Sequence, residues 1–159
     1  MVTRTRVNRV IIGLAIVLVL SCAYIYASKN EKSLETSKEG DVTTEGPGLT
    51  LSNVSQLDRF IDDINAKKES EVRIVSQTDE GDLLITELIY DGRKILHRYD
   101  NSRDDFAGAF RGVRDTVCTG AGKEETDTNI RYYIKGCKWK DAGSVSTGEN
   151  YYLLAVPKG

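Results

Sequence analysis

The chain has 159 residues, 40% of them hydrophobic, and a formal net charge of −2. Three of its 22 basic residues precede an N-terminal apolar run, so the remainder holds 19 basic against 24 acidic residues. This acidic balance excludes binding that depends on a broadly basic surface, and we expect no nucleic-acid partner. The length is typical of one domain, and the hydrophobic content excludes a wholly disordered chain.

The N-terminus has the pattern of a membrane segment. Arg4, Arg6 and Arg9 precede an apolar stretch over residues 10–27. About 20 apolar residues cross the hydrocarbon core of a bilayer, and flanking arginines stay on the cytoplasmic side. Residues 1–27 are therefore predicted to be a membrane helix in the cell membrane, with a cytoplasmic N-terminus and an extracellular C-terminal domain.

Two other processing routes remain open for this segment. Val19-Leu20-Ser21-Cys22 resembles a bacterial lipobox, in which the cysteine is lipidated and anchors the protein at the outer face of the membrane. Ordinary signal-peptide cleavage after Ala27 would instead release the protein. The uncleaved helix and the lipid anchor both predict a tethered surface protein.

Residues 28–50 are rich in Ser, Thr, Glu, Lys and Gly, and we expect them to form a flexible polar tether. A flexible chain of that length reaches about 25–30 Å. The extracytoplasmic domain is then predicted to occupy residues 51–159.

An amphipathic helix is predicted over residues 54–67, with the side chain of Asn53 or Ser55 as its N-cap. Four apolar residues recur at the helical spacing i, i+3, i+4 and i+7, which places them on one face. They are Leu57, Phe60, Ile61 and Ile64.

The hydrophobic period then changes from 3.6 to 2, which is typical of strands. A first strand is expected around Val72 and Ile74, and residues 83–90 are apolar on both faces, as in a central strand. Asp91-Gly92 favours a type I′ turn into a returning strand over residues 94–100. Further strands are predicted over residues 112–119, 129–136 and 151–156.

These elements predict an α+β fold in which one amphipathic helix packs on a mainly antiparallel sheet of about five to six strands, in two layers.

Cys118 and Cys137 are predicted to form a disulfide, because an exported protein favours disulfides and the third cysteine, Cys22, lies in the membrane segment. The bond would close a loop of about 20 residues and contribute on the order of 3 kcal/mol. Residues 120–128 are expected to be the tip of that loop. A zinc site is disfavoured because only one histidine is available, and a redox site because no Cys-x-x-Cys exists. No cofactor is expected.

His97 is the only histidine, and its place in a predicted strand favours a packed side chain over a general base. Asp100, Ser102 and Asp104 have the first spacings of a calcium loop. Asp105 and Arg111 stand where that loop needs Gly and Glu, so a solvated loop is the better interpretation. No catalytic motif is present, and no catalytic residue is predicted.

A group of aromatic and basic residues near the C-terminus is a candidate binding face for a protein or a cell-wall polymer. The alternative is ordinary cross-strand aromatic packing with surface lysines. The face consists of Tyr133, Lys138, Trp139 and Lys140, with two further basic residues and three further tyrosines close by. Within each adjacent pair of tyrosines, one is expected to face the core and the other the solvent. The further residues are Arg131, Lys135, Tyr132, Tyr151 and Tyr152.

Four short patterns resemble an uncharacterised domain of Bacillus-type surface proteins and lipoproteins, domain of unknown function 4362. They are Asn53-Val54-x-x-Leu57-Asp58-x-Phe60, Val72-Arg73-Ile74-Val75, Leu88-x-Tyr90-Asp91-Gly92 and Tyr99-Asp100-Asn101-Ser102. The resemblance covers residues 52–156 and implies a Gram-positive cell-surface location and the fold described above. It implies no activity and no functional residue.

Two classes of function follow from the sequence. A non-catalytic binding or interaction module at the cell surface is favoured, and the alternative is a small extracellular hydrolase or other envelope enzyme. A concave site in which His97, Asp100 or Asp104 meets a second titratable group would indicate the enzyme. A sheet face with exposed aromatic residues would indicate binding.

Overall fold

A computed structural model describes residues 38–45, 50–138 and 150–158, together with Val17 and Val19, which are helical. The chain divides into two compact units, residues 1–38 and 39–159. Most of the predicted anchor, including Cys22 of the lipobox, lies outside the described residues. Within the described part, no helix has the length and apolar character needed to cross a membrane.

The second unit contains a large sheet of six strands. The strands are β1 (Val42–Glu45), β2 (Thr50–Ser52), β3 (Ser70–Gln77), β4 (Leu83–Tyr90), β5 (Ile95–Asp100) and β6 (Val113–Cys118). Their order is β2-β1-β3-β4-β5-β6, and every neighbouring pair is antiparallel except β1 and β3.

A small sheet follows, in the order β7-β8-β9, and both of its pairs are antiparallel. Its strands are β7 (Gly120–Glu125), β8 (Asn129–Lys135) and β9 (Tyr151–Pro157). Only Thr119 separates β6 from β7, and Val117 of β6 pairs with Lys138, which comes just after β8. The two sheets therefore meet where one continuous stretch of chain leaves the first and enters the second.

Helix α1 (Ser55–Asn65) lies against β3 and β7. Its apolar stripe enters the core as the sequence predicted, with Leu57 and Phe60 fully buried and Ile61 and Ile64 packed at the margin. The core continues into both sheets. Its strand residues include Val72, Ile74, Leu88, Ile95, Tyr132 and Ile134.

The expected side-chain cap of α1 is wrong. The N-cap is Val54, and neither Asn53 nor Ser55 caps the helix through its side chain. Asn53 has a positive φ of 57°, and its amide donates instead to the Asp41 carbonyl at 2.9 Å. That amide joins the start of the helix to the residue before β1, a long-range contact that local sequence patterns do not contain.

The α+β class, with one helix on a mostly antiparallel sheet, is confirmed. The strand count is larger than the predicted five to six, because the described residues form nine strands in two sheets. The missed strands are β1, β2 and β7. All three are short or poor in apolar side chains, so none of them shows a clear period of two.

Strand β1 falls inside residues 28–50, so the prediction that this whole range is a tether is wrong for residues 42–45. Val42 is completely buried, and Asp41 and Thr44 are also buried. β1 pairs in parallel with β3, in register from Val42 opposite Ile74. A strand with a single apolar residue is fixed here by tertiary contacts and not by its own hydrophobicity.

Residues 120–128 were expected to be a loop tip, and most of them form strand β7. The turn is confined to residues 126–128, where the Thr126 N–H donates to the Asn129 carbonyl at 2.8 Å. Gly120 and Gly122 have no side chain to contribute to an alternating pattern. Without side chains at these two positions, the sequence of β7 shows no alternating pattern that would indicate a strand.

The hairpin between β4 and β5 is confirmed, but its predicted type I′ turn is wrong. The connection has four residues, 91–94, and Gly92 has a positive φ of 85° whereas Asp91 does not. The Asp91 carboxylate accepts N–H groups from Arg93 at 2.8 Å and Lys94 at 2.7 Å. These backbone donors, from Lys94 first and then Arg93, lower the pKa of Asp91 below its usual 3.8.

We expect Asp91→Ala to lower the melting temperature by a few degrees at neutral pH, because two turn N–H groups lose their acceptor. The Asp91 pKa is depressed on folding, so its stabilisation is present above pH 3.8 and is lost as pH falls further. Thermal unfolding at pH 7 and at pH 2.5 checks both points. Asp91→Asn keeps one oxygen acceptor and should lose less, and an equal loss in both variants would contradict the role of the acceptor.

Candidate binding face

The outer face of the small sheet presents two tyrosines. Along β8, Tyr132 and Ile134 point into the core, so Arg131 and Tyr133 occupy the opposite face. Tyr152 of β9 lies opposite Tyr133 in the strand register. We call the outward-facing set of Glu124, Arg131, Tyr133 and Tyr152, with Gly122 beneath it, the tyrosine face.

Tyr152 is held by three neighbours. Its ring centroid lies 6.2 Å from that of Tyr133, with the two planes at 76°, which is an edge-to-face pair. The Arg131 guanidinium carbon lies 5.6 Å from the Tyr152 ring centroid. The Tyr152 hydroxyl donates to Glu124 Oε1 at 2.9 Å. Tyr152 is nevertheless 47% exposed, so the ring is both fixed and accessible.

Gly122 determines the position of the Tyr133 ring. A Cβ atom at Gly122 would lie 2.6 Å from Tyr133 Oη and 2.8 Å from its Cζ, closer than atoms approach without bonding. The phenol ring therefore lies across the backbone of β7, in the space that a side chain would fill. The Tyr133 side chain is half-buried in this position.

A family model described as "Domain of unknown function (DUF4362)" matches residues 39–133, which is more than half of the chain. The chain belongs to this family. Comparisons with curated proteins and with solved structures each give no match. The DUF4362 match includes β1, in agreement with its place in the sheet. It ends at Tyr133, so Tyr152 on β9 lies beyond the matched residues.

The DUF4362 chain distributes the predicted binding-face residues over different places. Tyr133 belongs to the tyrosine face. Lys138 lies at the junction of the two sheets, where its N–H donates to the Val117 carbonyl at 3.0 Å and its own carbonyl accepts the Thr116 hydroxyl at 2.6 Å. Trp139 and Lys140 lie outside the described residues. The structure thus brings Tyr133 together with Tyr152 and Arg131, and places Lys138 beside Val117.

Two members of the tyrosine face were missed by sequence reasoning. Gly122 and Glu124 belong to β7, in a range that the sequence predicts to be a loop tip. The Gly-x-Gly pattern at Gly120 and Gly122 is the signal that could have found them. Small residues on one strand leave room for large flat side chains on its partner, and Lys135 lies across Gly120 much as Tyr133 lies across Gly122.

A disulfide joins Cys118 to Cys137, as the sequence predicted. Cys118, at the end of β6, is completely buried, and Cys137 follows β8 by two residues. Gly136 adopts a positive φ of 63°, and a side chain there would overlap the Thr119 hydroxyl. The bond therefore fastens the junction of the two sheets.

His97 is 1% exposed, and its ring centroid lies 5.7 Å from that of Tyr151. Burial lowers its pKa to about 4, against the opposing effect of the nearby Asp115 charge. The imidazole is therefore neutral at neutral pH and closed off from dissolved substrate. This agrees with the packed histidine that the sequence favoured.

The weak calcium candidate is not assembled into a three-ligand site. Asp100 Oδ1 accepts the Ser102 N–H at 2.8 Å, and Asp104 Oδ1 accepts the Phe106 N–H at 2.8 Å. Each carboxylate closes a separate turn of the β5–β6 loop. Among the described residues, no group of three or more His, Cys, Asp or Glu side chains is arranged to hold a metal ion.

A polar groove of about 330 Å³ lies between the end of α1 and the start of β3. Asp63 in this groove accepts the Ser70 hydroxyl at 2.8 Å and pairs with Lys68 at 3.2 Å. The Ser70 hydrogen bond, followed by those from the lysine, lowers the pKa of Asp63. His97, Asp100 and Asp104, the titratable residues that the sequence considers for an enzyme, do not line the groove.

Proposed function

We propose that the chain is a membrane-tethered extracytoplasmic module that binds a cell-wall polysaccharide through the tyrosine face and catalyses no reaction. The observation that supports this most is the pair of half-buried Tyr133 and exposed Tyr152, held edge to face on the outward side of the small sheet. Exposed aromatic residues in a fixed arrangement are typical of binding surfaces. Fixing them in advance reduces the ordering cost of binding.

The chemistry of the tyrosine face suits a sugar chain. A sugar ring has an apolar face of C–H groups and a rim of hydroxyls, and it needs a flat apolar surface with hydrogen-bonding groups beside it. Tyr133 supplies an aromatic ring, whose hydroxyl end lies over Gly122 of β7. Arg131 and Glu124 supply a donor and an acceptor, 3.8 Å apart. Their charges offset each other, which favours neutral sugars over an anionic polymer.

The location rests on the predicted N-terminal anchor and a short tether. Since β1 begins at Val42, the tether predicted from the sequence is shortened to residues 28–40. Such a segment reaches about 20 Å, which keeps the domain close to the outer face of the membrane. A polymer of the cell wall is then the most abundant ligand within reach.

The hydrolase alternative receives less support from the site. His97 is buried with a pKa of about 4, and the Asp100 and Asp104 carboxylates accept backbone N–H groups. A general acid or base must reach the substrate and titrate near the working pH. Burial keeps His97 away from a dissolved substrate, and both carboxylates accept backbone N–H groups of their own loop.

The test is sedimentation of the full-length chain, in detergent, with peptidoglycan sacculi stripped of anionic polymers. We expect saturable binding that Tyr133→Ala weakens at least tenfold, the usual scale for losing a central aromatic anchor. Gly122→Ala keeps both tyrosines and displaces only the Tyr133 ring, so it should reproduce the loss.

The matched control is Lys138→Ala, an exposed residue outside the tyrosine face that the sequence had also nominated. It should bind like the unchanged chain. Equal thermal stability of all variants excludes unfolding as the cause of lost binding. No binding to sacculi, or equal loss in Lys138→Ala and Tyr133→Ala, would overturn the proposal.

A further inference from the structure

The loop between β5 and β6 exposes two phenylalanines. Phe106 is 76% exposed and Phe110 is 73% exposed, more than any other aromatic side chain in the described residues. The three residues between them are Ala, Gly and Ala, so residues 106–110 contain no charged side chain. We call residues 106–110 the phenylalanine tip. An apolar tip of this kind marks an interaction site, since water solvates it poorly.

Hydrogen bonds fix the loop that bears the tip. At its base, the Asn101 N–H donates to the Gly112 carbonyl at 3.1 Å, and the Gly112 N–H donates to Asn101 Oδ1 at 2.9 Å. Arg111 Nε donates across the loop to the Ser102 carbonyl at 2.7 Å. The tip is therefore presented by a closed loop, and burying it in a partner requires little further ordering.

Two ion pairs lie beside the tip, and the remaining charged residue of the loop, Asp104, accepts the Phe106 N–H at 2.8 Å. Arg111 Nη1 lies 3.1 Å from Asp105 Oδ1, and Arg103 Nη1 lies 3.7 Å from Asp100 Oδ2. The two pairs offset four of these five charges and reduce the cost of bringing the loop towards an apolar phase. Both arginines remain about half exposed, in positions that can also meet lipid phosphates.

We propose that the phenylalanine tip inserts into the interface of the membrane that the N-terminal segment spans. The inference takes only the membrane tether from the proposed function and does not depend on sugar binding. Aromatic side chains favour the boundary between headgroups and acyl chains. A tether of about 20 Å keeps the tip at high effective concentration beside the bilayer, so two phenylalanines are sufficient. The domain then rests on the membrane through a second contact.

The experiment uses the full-length chain in vesicles of equal parts phosphatidylethanolamine and phosphatidylglycerol, some of it carrying brominated acyl chains. The chain has one tryptophan, which Trp139→Phe removes. In that background, Phe106→Trp and Phe110→Trp each place a reporter at an exposed aromatic position with little risk to folding. Tyr152→Trp, on the tyrosine face, is the matched control.

We expect brominated lipid to quench the tip reporters at least twofold more strongly than the Tyr152→Trp reporter. Iodide in solution should quench in the opposite order. Vesicle flotation establishes the tether separately. A chain that floats but whose tip reporters are quenched by iodide and not by lipid overturns the insertion alone. Reporters shielded from both quenchers indicate a protein-covered tip and overturn it as well.

A chain that fails to float overturns the tether and the insertion together. Failure to bind sacculi, with lipid quenching of the tip intact, rejects the sugar-binding proposal and leaves the insertion standing.

Discussion

Replacing Asp41 with alanine should lower the free energy of unfolding by about 3 kcal/mol. The Asp41 side chain is 7% exposed and forms an ion pair with Arg73, which is 15% exposed. Removing one partner of a buried pair leaves the other charge in a poorly solvated place. Glu87, 3.6 Å from Arg73 Nε, offers partial compensation, which keeps the expected loss at the lower end of the range for such pairs.

The same sheet supplies a matched control. Arg98 and Asp115 also form an ion pair, with two contacts of 2.9 Å, but both side chains are more than 40% exposed. Asp115→Ala should therefore cost less than about 1 kcal/mol. Urea unfolding of the two variants at pH 7 measures the difference. Equal losses would mean that Asp41 is solvated and that β1 contributes no more than a tether.

The five charged residues of these pairs lie in one row across the large sheet, with alternating sign. Strand register places Arg73 opposite Glu87, Glu87 opposite Arg98, and Arg98 opposite Asp115. Asp41 closes the row at the β1 end. The sequence alone does not reveal this row, because residues that pair in it lie far apart along the chain. Asp41 and Arg73, for example, are 32 positions apart. Register, which depends on the whole sheet, brings them together.

The parts of the fold that sequence predicted share a strong local signal. Helix α1 has four apolar residues at helical spacing, and β4 is a continuous apolar run, so both were found close to their observed bounds. Strand β1 has one buried valine, and β7 has two glycines on its outer face. Their pairing partners decide their structure, and those partners lie elsewhere in the chain.

The candidate site also contains residues that the sequence predicts and residues that it does not. Tyr133 was predicted as a binding residue from its aromatic type and its strand. Gly122 was not, because its role is to leave space, and the need for space is visible only when the Tyr133 ring lies over it. The sequence likewise does not predict the exposure of Phe106 and Phe110, since an apolar residue outside a periodic pattern gives no sign of whether it will be buried.

Acidification from pH 6.5 to about 4 should cost about 3 kcal/mol of stability through His97 alone. Burial holds the pKa of His97 at about 4 in the folded chain, against 6.5 when it is exposed. Above pH 6.5 the residue is neutral in both states. As pH falls below 6.5, His97 binds a proton in the unfolded chain but not in the folded chain. The free energy of unfolding therefore decreases until the pH reaches about 4.

The carboxylates act in a different window, which makes the effect of His97 separable. Hydrogen bonds lower the pKa of Asp58, chiefly through Lys123, and of Asp63, chiefly through Ser70, below the usual 3.8. Their stabilisation is present above pH 3.8 and is lost as pH falls below it. Urea unfolding between pH 7 and pH 4.2 therefore reports mainly on the histidine.

His97→Gln removes the titrating group, so the decline between pH 7 and pH 4.2 should disappear, whatever the variant's stability at pH 7. Asp58→Asn, which keeps His97, is the control and should retain the decline. Burial has two effects on His97. It disfavours the protonated imidazole, and it keeps a dissolved substrate away from the ring. If the free energy of unfolding of His97→Gln still declines with an unchanged slope, His97 must be exposed to water in the folded chain. It would then again be a candidate general base.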